Sequence, residues 1–153
     1  MSDQHDDIPA SYKASIMKTT NNMAPYWQLL GMELLDFKQG WAIVKLPFDT
    51  KLTNPTGIAH GGAVFSVADA AAAMAAMGTV GKDEIVTTIE MKTNYVKPFI
   101  KGEITGEAKI VYKGTTTALG DVDVRNENGE LIAKGQATYM ILKAKRAIAR
   151  QAD

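Results

Sequence analysis

A histidine and two glycines, His60-Gly61-Gly62, open a run of alanines, and one carboxylate, Asp69, stands inside that run. Residues 61–77 are apolar on nearly every face, with alanine at 63, 68, 70 to 73, 75 and 76, and Gly78 closes the segment. Alanine is the strongest helix former, so the run reads as helix. A helix that is hydrophobic all round is expected to be buried all round. Its first turn leaves backbone N–H groups without intrahelical partners at the positive end of the dipole, a setting that suits a developing oxyanion. Glycines at 61 and 62 let a substrate approach those amides; the plain alternative is that they ease a tight loop-to-helix turn. Asp69 is the only ionisable group between His60 and Lys82. A carboxylate in apolar surroundings is costly unless it is paired, which makes Asp69 a candidate base or nucleophile. Its alternatives are a strand lysine as partner, or an outlet to solvent at the helix edge.

The neighbours admit plainer readings. His60 suits a helix cap or a loop brace, and Asn54 beside Pro55 reads on its own as a turn residue. Ser66 lies between His60 and Asp69 and invites a serine triad. However, no G-x-S-x-G elbow surrounds it, and six residues of helix separate it from His60 by about 9 Å. Gly78-Thr79-Val80-Gly81-Lys82 lacks phosphate-loop spacing, and the eight methionines read as core filler.

Composition removes whole classes of chemistry. Cysteine is absent, which excludes disulfides, thiolate nucleophiles and Cys-ligated metal, and two histidines are too few for a His-rich metal centre. Seventeen basic residues balance seventeen acidic ones, so no basic field points to nucleic acid or anionic lipid. Residues 63–77 are interrupted by Ser66 and Asp69 and fall short of the roughly 20 needed to span a bilayer. The acidic first residues resemble no secretory signal, so a cytoplasmic location is expected. At 153 residues the chain suits one domain.

The elements that must hold these groups follow from periodicity and turn residues. Residues 1–10 read as a disordered leader, 11–142 as the single domain, and 143–153 as a solvated basic tail. Tyr12, Ile16 and Met17 stand at helical spacing within 11–22. Pro25 and Gly31 bracket a second, short helix, with proline at its start and glycine past its end. Residues 32–37 and 41–46 flank Lys38-Gln39-Gly40 as a hairpin. Residues 47–60 are loop, and after the alanine-rich helix strands are predicted at 85–96, 102–112, 115–125 and 131–142. Two β elements, one buried helix and four β elements predict an α+β domain, an antiparallel sheet curved around one long helix.

The string Asn54-Pro55-Thr56-Gly57-Ile58-Ala59-His60-Gly61-Gly62, with Asp69 nine residues after the histidine, resembles the signature of hotdog-fold acyl-CoA thioesterases of the phenylacetate-degradation type. The likeness runs from about residue 23 to 142. It includes Leu29-Leu30-Gly31-Met32, Asn94-Tyr95-Val96-Lys97-Pro98 and Lys113-Gly114-Thr115-Thr116. The resemblance implies that the Gly62 amide polarises the thioester carbonyl and that Asp69 acts across a subunit boundary as base or nucleophile. It further implies that Asn54 orients carbonyl or water and that His60 braces the loop. Gly57, Gly61, Phe65, Lys97 and Thr115 are the implied substrate contacts. Some relatives add a hydroxyl on the strand after the helix; counting back from Asn94-Tyr95 gives Thr88, while counting forward from Asp69 gives Thr87. These two face opposite sides of a sheet. No metal or cofactor is implied, coenzyme A being part of the substrate. The rivals are a non-catalytic acyl-CoA-binding hotdog module and a hotdog dehydratase or hydratase.

Seven residues of helix put Gly62 and Asp69 about 10 Å apart, too far to act on one carbonyl. A two-fold axis solves this, since the helix start of one chain can face the middle of its partner's helix. A homodimer, or a tetramer built as a dimer of dimers, is therefore expected.

Overall fold

The computed structural model describes residues 5–144. Helix α1 (Ala10–Met23) lays Tyr12, Ile16 and Met17 against the core. Helix α2 (Pro25–Leu30) starts on proline and ends at Gly31, whose φ of 80° lets the next amides turn back onto Trp27 and Gln28. The hairpin β1 (Glu33–Lys38) and β2 (Trp41–Pro47) closes through Gly40 at φ 71°. After a short 3-10 turn at Thr50–Leu52 comes helix α3 (Gly61–Met77). The four strands that follow are β3 (Glu84–Tyr95), β4 (Glu103–Lys113), β5 (Thr117–Asn126) and β6 (Leu131–Lys143).

Every strand pairing is antiparallel, in the order β1-β2-β4-β5-β6-β3. α3 packs across the middle of this sheet, chiefly on β2, β4 and β5. Its Val67, Ala68, Ala71, Ala72, Ala75 and Ala76 are buried with Phe37, Val44, Leu46, Ile104 and Val124. Close approach depends on small residues. A Cβ on Gly106 of β4 would stand 2.8 Å from the Val67 carbonyl oxygen, and one on Gly78 only 2.2 Å from the Lys38 carbonyl oxygen. This is the antiparallel sheet around one long helix that the pattern of elements implied, with strand and helix bounds within about two residues.

Three expectations are corrected. Residues 5–9 are not a loose leader. His5 Nδ1 lies 3.0 Å from the Gln39 carbonyl, Gln39 N–H donates to Asp6 O, and Ile8 is 7% exposed within the core. Burial of one apolar side chain in the core and the bonds of His5 and Asp6 to Gln39 anchor the segment; residues 1–4 lie outside the described residues. Lys143 belongs to β6 rather than to a tail, and bonds Asp83 and Glu84, while residues 145–153 lie outside the described residues. Nor is α3 buried all round. Gly62 is exposed, and Phe65, Ser66, Asp69 and Ala73 are partly exposed, forming one stripe at helical spacing. The sheet covers one side of the helix and α1 and α2 only part of the other.

Candidate active site

Asp69 sits on that open stripe, and two hydroxyls reach its carboxylate from neighbouring strands. Thr88 Oγ1 donates to Asp69 Oδ1 at 3.1 Å, and the Tyr139 hydroxyl lies 2.8 Å from the same oxygen and 3.0 Å from Asp69 O. Thr88 and Tyr139 are direct cross-strand partners on β3 and β6 and point to the helix side of the sheet. The choice between Thr87 and Thr88 is thereby resolved geometrically: Thr87 pairs with Met140 on the opposite face. Its physical reason is a bulge between Thr88 and Glu90, where Ile89 is the extra residue. The bulge reverses the in–out alternation, so that Met91 and Thr88 share a face although three positions separate them. Asp69 is therefore hydrogen-bonded and partly open to solvent at the helix edge, one of the alternatives the sequence left open, and no lysine is its partner among the described residues.

Tyr139 was invisible to motif reasoning. The signal available was the inward row of β6, Ala133, Gly135, Ala137 and Tyr139, where one large polar residue ends a series of small ones. Tyr139 is fully buried, and a buried phenol needs a hydrogen-bond partner. Burial first, and then the adjacent Asp69 charge, push the phenol far above its ordinary range, so it stays protonated and acts as a donor.

A cleft of about 470 Å³ opens beside Asp69 between α1, α2 and α3, lined by Trp27, Met32, Phe65, Ala70 and Met74 among others. Its polar atoms besides Asp69 include the Tyr26 hydroxyl, which bonds Ser66 Oγ at 2.8 Å. Ser66 Oγ also donates to Gly62 O, which makes it a helix-wall residue. Another cleft, of about 300 Å³, lies on the far face of the sheet near Trp41, Glu107 and Asp123, away from all these groups.

The remaining candidates gather at the start of α3. His60 is the N-cap, and its Nδ1 accepts from Gly62 N–H at 2.8 Å. The donor assigned to an oxyanion is thus occupied by an intramolecular acceptor. His60 is exposed and held through its own amide, which donates to Leu52 O at 2.7 Å, so its side chain is free to leave without unfolding the loop. Gly61 shares a shallow cleft of about 310 Å³ with Lys97 and Tyr95, and Tyr95 donates to Gly61 O. Lys97 also pairs with Glu130 at 2.7 Å. Asn54 takes the plain reading within the chain: its Oδ1 accepts from Thr56 N, Thr56 Oγ1 and Ile58 N, an Asx turn around Gly57 at φ 81°. Asn54 Nδ2 donates to no group among the described residues. Thr115 lies in the β4–β5 turn, where the adjacent Thr116 carbonyl accepts from Ile141 N, at the opposite end of β6 from the residues that face Tyr95. One chain therefore presents two separate clusters, Asp69–Thr88–Tyr139 and His60–Gly61–Gly62, about 10 Å apart along α3.

The fold and these clusters define a hotdog domain, its sheet packed on the one long helix α3. Residues 56–133 match the family model of the thioesterase superfamily, and the chain belongs to that family. It is 26% identical to the 1,4-dihydroxy-2-naphthoyl-CoA hydrolase of Listeria monocytogenes, over 78% of this chain and 97% of that protein. Among solved structures it is similar to the conserved protein PA5202 of Pseudomonas aeruginosa, with 31% identity, a TM-score of 0.76, and coverage of 88% of this chain and 100% of that one. The Escherichia coli PaaI protein of the phenylacetic acid degradation operon shares the fold, with 20% identity, a TM-score of 0.78, and coverage of 88% and 96%.

Proposed function

We propose that this protein hydrolyses acyl-CoA thioesters to a carboxylic acid and free coenzyme A at sites shared between two subunits. The observation that carries the reading is the Asp69 carboxylate, tied through Oδ1 and facing an apolar cleft on the open stripe of α3. In this reading Asp69 takes a proton from water as the water oxygen attacks the thioester carbon. The carbonyl oxygen gains charge at the α3 start of the partner, where Gly62 N–H exchanges its bond to His60 for one to the substrate. Collapse breaks the C–S bond, and the leaving thiolate recovers the proton. Charge developing at a helix N-terminus is stabilised by preorganised donors and the dipole. The acyl group fills the cleft between Trp27, Phe65 and Met74.

The shared site needs a dimer. β3 is an edge strand whose outer edge is unpaired among the described residues, and pairing two such edges antiparallel would join the sheets. The test is a panel of aliphatic and aromatic acyl-CoAs read by release of free thiol, with mass measured by sedimentation. Thiol release from at least one acyl-CoA by a dimer or tetramer is expected. Tight binding of an acyl-CoA with no release would favour the non-catalytic module, to which the His60–Gly62 bond lends weight. Full activity in a strict monomer would overturn the shared site.

A further inference from the structure

We infer that Tyr139 is a positioning residue for Asp69, fixing which carboxylate oxygen is offered to the reaction. The inference rests on the thioesterase reading above. Tyr139 and Thr88 place their hydroxyls on the same oxygen, Oδ1, at 2.8 and 3.1 Å, and Oδ2 receives no donor from the described residues. Two donors converging on one oxygen lock the carboxylate's side-chain torsion, and the remaining oxygen keeps its lone pairs for a proton or a carbon. The Tyr139 hydroxyl also lies 3.0 Å from the Asp69 carbonyl, so its single proton is shared unequally between the nearer carboxylate oxygen and the helix backbone of this residue. The two donors differ in permanence. Thr88 is on the exposed edge strand, whereas Tyr139 is fully buried on β6, paired on both sides by β5 and β3. Tyr139 is therefore the fixed member that holds the geometry before a partner or substrate arrives. Its hydroxyl lies too deep to touch substrate, which separates it from the catalytic residues.

A tyrosine that only filled the core would matter for stability alone. The test is a cycle of Tyr139→Phe, Asp69→Asn and the double variant in the full chain, with kcat, KM and Tm measured on the best acyl-CoA. Losing one hydrogen bond to a charged group predicts a kcat roughly 10-fold lower in Tyr139→Phe, with KM within about twofold. In the Asp69→Asn background the same change should cost less than about twofold, because the group it positions is already gone. Tyr139→Phe losses that multiply fully in the double variant, or an unchanged kcat, overturn the inference. An independent readout covers a poorly folding variant: the Tyr139 hydroxyl proton, observed by NMR in tyrosine-labelled wild type, should exchange slowly and shift in Asp69→Asn. A hydroxyl that exchanges freely, or ignores Asp69→Asn, overturns it as well. Wild type inert toward every acyl-CoA defeats the thioesterase reading and this inference together, whereas an active wild type with multiplicative losses defeats this inference alone.

Discussion

Replacing Asp69 with asparagine removes a charge while leaving nearly every contact in place. Asparagine's Oδ1 can occupy the position of the carboxylate Oδ1 and accept from Thr88 and Tyr139 at the same 3.1 and 2.8 Å. Its amide nitrogen takes the place of Oδ2, which receives no donor among the described residues. The helix position, the cleft and the α3 start are untouched, so binding should persist with KM within about threefold. The lost element is a proton acceptor or nucleophile, a contribution on the order of 100- to 10,000-fold in rate. Stability should hold, with Tm within about 4 °C, because the change is worth at most about 1 kcal/mol where a satisfied, partly exposed carboxylate becomes a satisfied amide. The assay is thiol release from the acyl-CoA panel, and since the chain has no cysteine it contributes no background to a thiol reagent. An Asp69→Asn variant that keeps more than a tenth of wild-type kcat would remove Asp69 from the chemistry.

Three further outcomes are expected. Asp69→Ala chains mixed with Gly62→Pro chains by reversible unfolding should recover roughly a quarter of wild-type activity, since half of randomly paired dimers are hybrids with one intact site of two. Normal pairing without recovery would place the site within one chain. Gly106→Ala should lower Tm by roughly 2–12 °C, because a Cβ there meets the Val67 carbonyl at 2.8 Å and overpacking costs about 1–3 kcal/mol; an unchanged Tm would mean the helix yields freely. Burial pushes the Asp123 carboxyl up, but hydrogen bonds from Lys134 and Arg125 outweigh it and hold it below its ordinary 3.8. A depressed carboxylate stabilises above the unfolded value and loses that contribution as pH falls through the folded one. The Tm difference between wild type and Asp123→Asn should therefore be open at neutral pH and close as the pH drops below 3.8, and a gap independent of pH would contradict the pairing.

The architecture was legible because its signals are local. Pro25 and Gly31 bracket α2, and Gly61 and Gly78 bound α3, while Gly40 and Gly129 take the positive φ that their hairpin turns need. Asp69 announced itself as the one charge in an apolar run. What could not be read depended on events between distant segments. The extra residue at Ile89 has no composition of its own, yet it decides whether Thr87 or Thr88 meets the helix. Tyr139 lies 70 residues from its partner. Ile8 looked like part of a polar leader because its burial comes from joining the folded core rather than from any periodicity of its own. The His60 cap and the Asn54 turn needed atoms, since the same residues serve a catalytic loop and a plain one.

The eight alanines of α3 have a consequence for order as well as for distance. Burying a leucine or methionine freezes rotamers and costs side-chain entropy, whereas alanine has none to lose. A helix lined with methyl groups thus gives up some apolar area but becomes ordered almost at the backbone cost alone. Those alanine positions also offer no alternative rotamers through which neighbouring groups could drift once the helix is packed against Gly106. Rotameric freedom beside Asp69 is left to Phe65 and Met74, which line the same cleft, whereas the carboxylate is tied by Thr88 and Tyr139.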